Sequence, residues 1–254
     1  MTTDTAPKPS FWNRLAHPGQ FVALTRPLLW PLTIITAALF IAGLWFAFFN
    51  SPEDYQMGDT VRIMYIHVPT AWLSQFVYGI MAVSAIGSLV WRHPMADVSM
   101  KAAAPLGATF TALALFTGSL WGRPTWGTFW EWDGRMTSTL VLLLIYLGIV
   151  ALWRAFDDQL RAARVIAVFT LVGAINIPII KFSVDWWSTL HQPSSVFTMS
   201  GPHMPPSILT PLLVMAIAFT MLFLTLHLKA MHTEVARRRL MALQRQAAQT
   251  GKTA

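Results

Sequence analysis

The stretch Trp121-Gly-Arg-Pro-Thr-Trp126-Gly-Thr-Phe-Trp130-Glu-Trp132-Asp133-Gly-Arg135 decides how this chain is read. It carries four tryptophans and four charged side chains, and it lies between two long apolar runs. So many charges do not cross a bilayer, so the stretch is a loop between spans. Trp126, Phe129, Trp130 and Asp133 are spaced i, i+3, i+4, i+7, which predicts a short helix beginning at Pro124 with three aromatics on one face. Tryptophans in a polar loop need something apolar to cover, or else they form the aromatic belt of a membrane interface. The loop alone leaves both readings open.

Outward from the loop, the chain has membrane composition. Of 254 residues, 55% are hydrophobic and 11% charged, against about 25% charged in a soluble domain. Six apolar runs are long enough to span, at about 28–49, 68–91, 102–121, 137–153, 165–180 and 208–226, judged against the ~20 residues a spanning helix needs. The expected fold is all-α, a polytopic membrane protein of six transmembrane helices. The first run is too long for a signal-peptide core and no small-residue cleavage site follows it, so it is expected to remain as an anchor. Pro31, Pro105 and Pro211 fall near the starts of their runs, where a missing N–H costs little. Pro178, with Asn176 before it, is expected to kink the fifth helix. The chain has no cysteine, which excludes disulfides, thiolate metal sites, Fe–S clusters and thiol redox chemistry.

Fourteen of the eighteen lysines and arginines fall in the tails, the second connection and the fourth; Arg62, Arg123, Arg135 and Lys181 lie on the other side. This asymmetry puts both termini in the cytoplasm and the tryptophan loop outside. The net charge of +7 is therefore a topology signal and argues against nucleic acid. The expected organisation is a cytoplasmic or interfacial segment over 1–27, a six-helix membrane domain over 28–229 with its loop at 121–136, and a basic cytoplasmic tail over 230–254. Residues 10–26 mix aromatics with Arg14 and Arg26, which suits the interface. Glu234 to Gln246 reads as a basic helix attracted to anionic lipid or a partner.

Three histidines are external. His67 lies where the first external loop enters the second helix, and His191 lies just beyond the fifth; each is held near a rigid helix end on the side of the tryptophan loop. His203, in a proline- and glycine-rich stretch, is a bystander. His17, His93, His227 and His232 read as interfacial or solvated. Two neutral imidazoles can occupy both axial positions of a haem, and Trp126, Trp130 and Trp132 suit a flat macrocycle. Arg123 and Arg135 bracket the tryptophans and suit its propionates, with Arg62 weaker. Asp133 is either a support for a ligand imidazole or a plain helix-end residue. Histidines that simply sit at a membrane interface are the alternative.

The motif Trp126-Gly-Thr-Phe-Trp130-Glu-Trp132-Asp133, with Gly118-Ser-Leu-Trp121-Gly, Arg135-Met-Thr-Ser138, Met64-Tyr-Ile-His67-Val-Pro and Trp186-Trp-Ser-Thr-Leu-His191-Gln, resembles the CcmC family, the haem exporter C group of cytochrome c maturation within the WWD-domain haem-handling superfamily. The resemblance runs from about residue 20 to about 230. It implies six spans in the bacterial inner membrane and a periplasmic site for b-type haem, bound non-covalently and transiently. It implies His67 and His191 as axial ligands, with the loop's tryptophans, Trp121 included, around the macrocycle. It also implies partners: the haem chaperone CcmE, the helper CcmD, and the transporter subunits CcmA and CcmB.

Function follows as haem presentation to a chaperone, and the chain is not expected to be an enzyme. A b-type redox enzyme would bury its histidines mid-span. A cytochrome c haem-lyase or synthase component of the same superfamily is, by resemblance, larger and richer in histidine. A transporter permease needs polar residues along a path, and Asn176 is the one strong mid-span candidate.

Overall fold

The computed structural model describes residues 11–55, 57–187, 189–191 and 204–250. Its helices are α1 (Phe11–Ala16), α2 (Pro18–Thr25), α3 (Leu29–Trp45), α4 (Met64–Trp91), α5 (Pro94–Trp126), α6 (Gly134–Ala155), α7 (Gln159–Gly173), α8 (Asn176–Trp186) and α9 (Pro206–Thr250). Apart from one isolated bridge between Asp54 and Gly58, the described residues form no β-structure. His203 lies outside them.

Six helical stretches among the described residues are long and apolar enough to cross a membrane: Pro18–Asn50, Asp59–Trp91, Pro94–Trp126, Gly134–Ala155, Gln159–Trp186 and Pro206–Thr250. Each contains one of the six apolar runs. Arg92 and His93 alone separate α4 from α5, and Phe156 to Asp158 alone separate α6 from α7, so consecutive spans run antiparallel. One end of the bundle therefore gathers residues 51–55, 57 and 58, the tryptophan loop, and Trp187 with residues 189–191. The other gathers the α4–α5 and α6–α7 connections and the described parts of both tails. The outward faces carry Ile34, Ile41, Val83, Leu144, Val168 and Ile217, exposed side chains for which hydrocarbon is the natural solvent.

Lipid supplies little drive for helices to associate, so close packing and internal hydrogen bonds hold the bundle. Two tyrosines show how. Tyr78 and Tyr146 are fully buried and stack edge to face at 5.2 Å. Their hydroxyls donate to the carbonyls of Thr170 (2.9 Å) and Ser74 (2.8 Å), which satisfies both phenols and ties α4 to α7 and α6. The Tyr146 ring fills the space a Cβ would need at Gly107, and Tyr78 does the same at Gly173.

Four expectations change. The fifth span is broken before Pro178, not merely kinked: α7 stops at Gly173 and α8 restarts at Asn176. Pro178 cannot donate to the Ala174 carbonyl, which accepts instead from the Ile177 amide at 3.1 Å, and Asn176 donates across to the Ser138 carbonyl at 2.8 Å. Pro105 sits well inside α5, because that helix begins at Pro94. The short helix from Pro124 is absent: α5 runs through Pro124 to Trp126 and ends on Gly127, whose φ of 78° is left-handed. Finally, His227 is buried, neither interfacial nor solvated, and the half-buried His232 also has a partner. His227 shares a hydrogen bond with Ser99 (3.2 Å), and His232 shares one with Thr25 (2.6 Å), because α9 packs against α5 and α2.

The end of the bundle opposite the loop is closed by charge. Lys101 of α5 donates to Gln159 of α7 and Glu234 of α9, each at 2.9 Å, and Glu234 also accepts from Arg238 at 3.0 Å. Beyond this node α9 continues unbroken to Thr250 with Leu240, Met241 and Leu243 exposed.

The glycine slot yields a paired prediction. Gly107→Ala collides with the Tyr146 ring and should lower the unfolding free energy by about 1–3 kcal/mol. At Gly148 the nearest atom to an added Cβ lies 3.7 Å away, so Gly148→Ala should be neutral or slightly stabilising. Denaturation in detergent measures both; equal midpoints would contradict this packing.

Candidate functional site

His67 occupies the first turn of α4, where a helix start fixes its backbone against α5. Its Nδ1 lies 3.0 Å from the Ala114 carbonyl and 3.2 Å from the Thr117 hydroxyl. A carbonyl only accepts, so Nδ1 carries the proton and donates, which leaves the lone pair on Nε2. Gly118 makes room for this ring: an added Cβ would stand 2.7 Å from His67 Cε1. One turn further along α5, Trp121 tilts against the imidazole with 5.6 Å between ring centres.

Past Gly127 the chain is irregular until Asp133, which is the N-cap of α6. One carboxylate oxygen, Oδ1, accepts from the Met136 amide at 2.7 Å, a cap worth about 1 kcal/mol. The other, Oδ2, accepts from His191 Nδ1 at 2.7 Å and from the Thr189 hydroxyl in a very short contact. Thr189 also accepts the His191 amide at 3.1 Å, so one hydroxyl fastens both the loop backbone and the carboxylate. Asp133 is thus a helix-end residue through one oxygen and a partner of the His191 imidazole through the other.

Burial raises the Asp133 carboxyl, but the bonds from Thr189, the Met136 amide and His191 outweigh it and hold the group below its ordinary value. Burial depresses His191, against the pull of Asp133. At neutral pH the pair is thus an anionic carboxylate and a neutral imidazole whose Nε2 bears a lone pair. Among the described residues no hydrogen bond reaches Nε2 of His67 or His191. The two rings are within electrostatic reach of each other and of Arg135.

The tryptophans surround the two histidines unequally. Trp126 meets His191 edge-on at 4.7 Å and lies over Gly122. Trp130 meets Trp132 at 5.2 Å, and Trp132 is 71% exposed, a large apolar surface left open. The indole N–H groups of Trp121 and Trp130 are buried and have no partner among the described residues. Arg135 is half-buried beside Asp133 and Asp185. Arg123 is exposed, its guanidinium 4.6 Å from the Phe129 ring centre, and Arg62 pairs with Asp59 at 2.7 Å.

His67, Trp121, Trp126, Trp130, Trp132, Asp133, Arg123, Arg135 and His191 thus all lie at the loop end of the bundle. Contacts join His67 to Trp121, and Trp126 and Asp133 to His191. Arg123 is turned onto Phe129, and Arg62 is committed elsewhere. Three contributors went unnoticed in the sequence. The stripe Ala114, Gly118, Gly122 at four-residue spacing places small residues under the rings of His67 and Trp126, a signal that was available. Thr189, two residues before His191, gave only the weak signal of a hydroxyl near a loop. Trp187, which lies against Gly134, was hidden among many tryptophans.

The chemistry of this donor set suits a planar iron macrocycle. It offers two imidazole nitrogens without partners among the described residues, indole faces and N–H groups beside them, and a cationic guanidinium in Arg135. Among the described residues there is no cluster of three or more histidine, aspartate or glutamate side chains able to cage a bare metal ion.

Comparison with known proteins agrees. A family model described as CcmC, Heme exporter protein C, matches residues 11–246. The chain is 63% identical over 230 residues to Heme exporter protein C of Bradyrhizobium diazoefficiens, covering 91% of this chain and 87% of that protein. It is 46% identical over 219 residues to Heme exporter protein C of Escherichia coli K12, covering 86% and 88%. A putative cytochrome c biosynthesis ccmC-like mitochondrial protein of Marchantia polymorpha is 45% identical over 185 residues, covering 73% and 76%. With a family model spanning nearly its whole length and relatives this similar, the chain belongs to the haem exporter protein C family.

Proposed function

We propose that this protein holds haem at the periplasmic face of the bacterial inner membrane and presents it to the haem chaperone CcmE for c-type cytochrome assembly. Membership of the haem exporter protein C family supports the role in haem handling and cytochrome c maturation. The observation that carries the site is the pair of imidazoles: each has its Nδ1 engaged by a protein acceptor, and among the described residues no hydrogen bond reaches either Nε2. Ligating histidines are commonly oriented in this way by the hydrogen bond at their second nitrogen.

In this reading haem is cargo, bound as a non-covalent b-type group with His67 and His191 as axial ligands. Trp121, Trp126, Trp130 and Trp132 supply apolar faces, each aromatic contact adding about 0.5–1.5 kcal/mol beyond area burial. Arg135, aided by Arg123, pairs with the propionates, and the unpartnered indole N–H groups of Trp121 and Trp130 offer further donors. The exposed Trp132 side leaves an edge for a chaperone to reach. The protein positions its cargo and does not act as an enzyme. CcmD and the transporter subunits CcmA and CcmB are its expected companions. A permease reading loses ground, because Asn176 is spent on the Ser138 carbonyl.

Three outcomes follow. Haem-loaded protein should give a bis-histidine absorption spectrum that disappears when His67→Ala and His191→Ala are combined; an unshifted spectrum would refute the ligand assignment. Arg135→Ala should weaken haem retention about tenfold, the cost of one charged pairing, measured by transfer to apomyoglobin; unchanged retention would reduce Arg135 to a topology charge. Because the chain has no cysteine, Thr128→Cys and Ala242→Cys report sidedness cleanly. An impermeant maleimide added to spheroplasts should label the first and spare the second, and the opposite pattern would invert the topology.

A further inference from the structure

His67 and His191 have different supports. Nδ1 of His67 faces neutral acceptors, the Ala114 carbonyl and the Thr117 hydroxyl. Nδ1 of His191 faces the Asp133 carboxylate, which also accepts from the Met136 amide and the Thr189 hydroxyl. An imidazole that donates to a carboxylate acquires imidazolate character and becomes a stronger donor through Nε2; one that donates to a neutral carbonyl gains less. Their freedom differs too. His67 is carried on a helix, lying over Gly118 and against Trp121. His191 stands on the chain beyond α8, and its support comes from the capping carboxylate of α6.

We infer that the two axial ligands are unequal: His191, backed by Asp133 and Thr189, is the retained ligand, and His67 is the one displaced when another donor takes the iron. This rests on the bis-histidine reading above and specifies the order in which that site opens. In the exchange the iron–nitrogen bond to His67 breaks with its electron pair staying on Nε2, and a bond to the incoming donor forms. The iron keeps its oxidation state and no proton is required. Asp133 and Thr189 are positioning residues, acting through His191.

The test uses full-length protein loaded with haemin, and compares His67→Ala, His191→Ala, the double variant and Asp133→Asn. Asparagine caps a helix about as well as aspartate, so Asp133→Asn removes the charge while keeping α6 capped. His67→Ala should keep its haem with one axial imidazole and take up added imidazole at the vacated position. His191→Ala should retain haem about tenfold less well, and Asp133→Asn should lose about tenfold in affinity. Asp133→Asn should also raise the midpoint potential of the bound haem, because the carboxylate no longer favours the ferric state. A merely structural role for Asp133 would not move that potential. Equal losses in the two single variants, a larger loss in His67→Ala, or an unchanged potential in Asp133→Asn would overturn the inference. Equal losses with a haem-free double variant would leave the bis-histidine reading standing, whereas a double variant with the wild-type spectrum would overturn both.

Discussion

The Asp133 carboxylate is the interaction on which the loop end of this molecule depends. It terminates the tryptophan loop by capping α6 and, through its second oxygen, fixes the ring of His191. A helix N-terminus carries a partial positive charge, and a carboxylate there is stabilised in its ionised form. The electrostatics of an ordinary cap therefore supply the anion that stands behind the His191 imidazole. Loop geometry and the orientation of His191 share one side chain, so neither can shift without the other.

The bundle beneath answers to a different constraint. In hydrocarbon every polar group must be satisfied internally, and close approach of helices replaces the hydrophobic drive. Tyr78, Tyr146 and Asn176 meet the first demand by donating to carbonyls of neighbouring helices, one of them beside the break in the fifth span. Gly107 and Gly118 meet the second, one giving space to Tyr146 and the other to His67. The same device, a missing Cβ on α5, thus serves packing deep in the bundle and ring placement at its end.

Much of this was legible in the sequence. The six apolar runs mark the spans because hydropathy reports solvent directly, and the four tryptophans mark the loop because charges on both sides keep it out of lipid. The placement of His67 and His191 at the loop end of the bundle was legible because each sits beside a span end. What failed was local periodicity: the spacing of Trp126, Phe129, Trp130 and Asp133 suggests a helix, but Gly127 ends α5 and Asp133 begins α6. His227 was misread because charge density nearby says nothing of a neighbouring helix. Thr189 was invisible for a similar reason, since its importance lies in a carboxylate 56 residues away.

The loop end combines rigid and open parts. His67 is set by a helix, His191 by a cap, and Trp132 beside them leaves its indole face uncovered. The central claim is that both imidazoles grip one iron through Nε2. Electron–nuclear double resonance on ferric, haem-loaded protein containing nitrogen-15 histidine tests this most directly. The account predicts a low-spin centre coupled to two histidine nitrogens. A high-spin centre, or coupling to a single histidine, would contradict it.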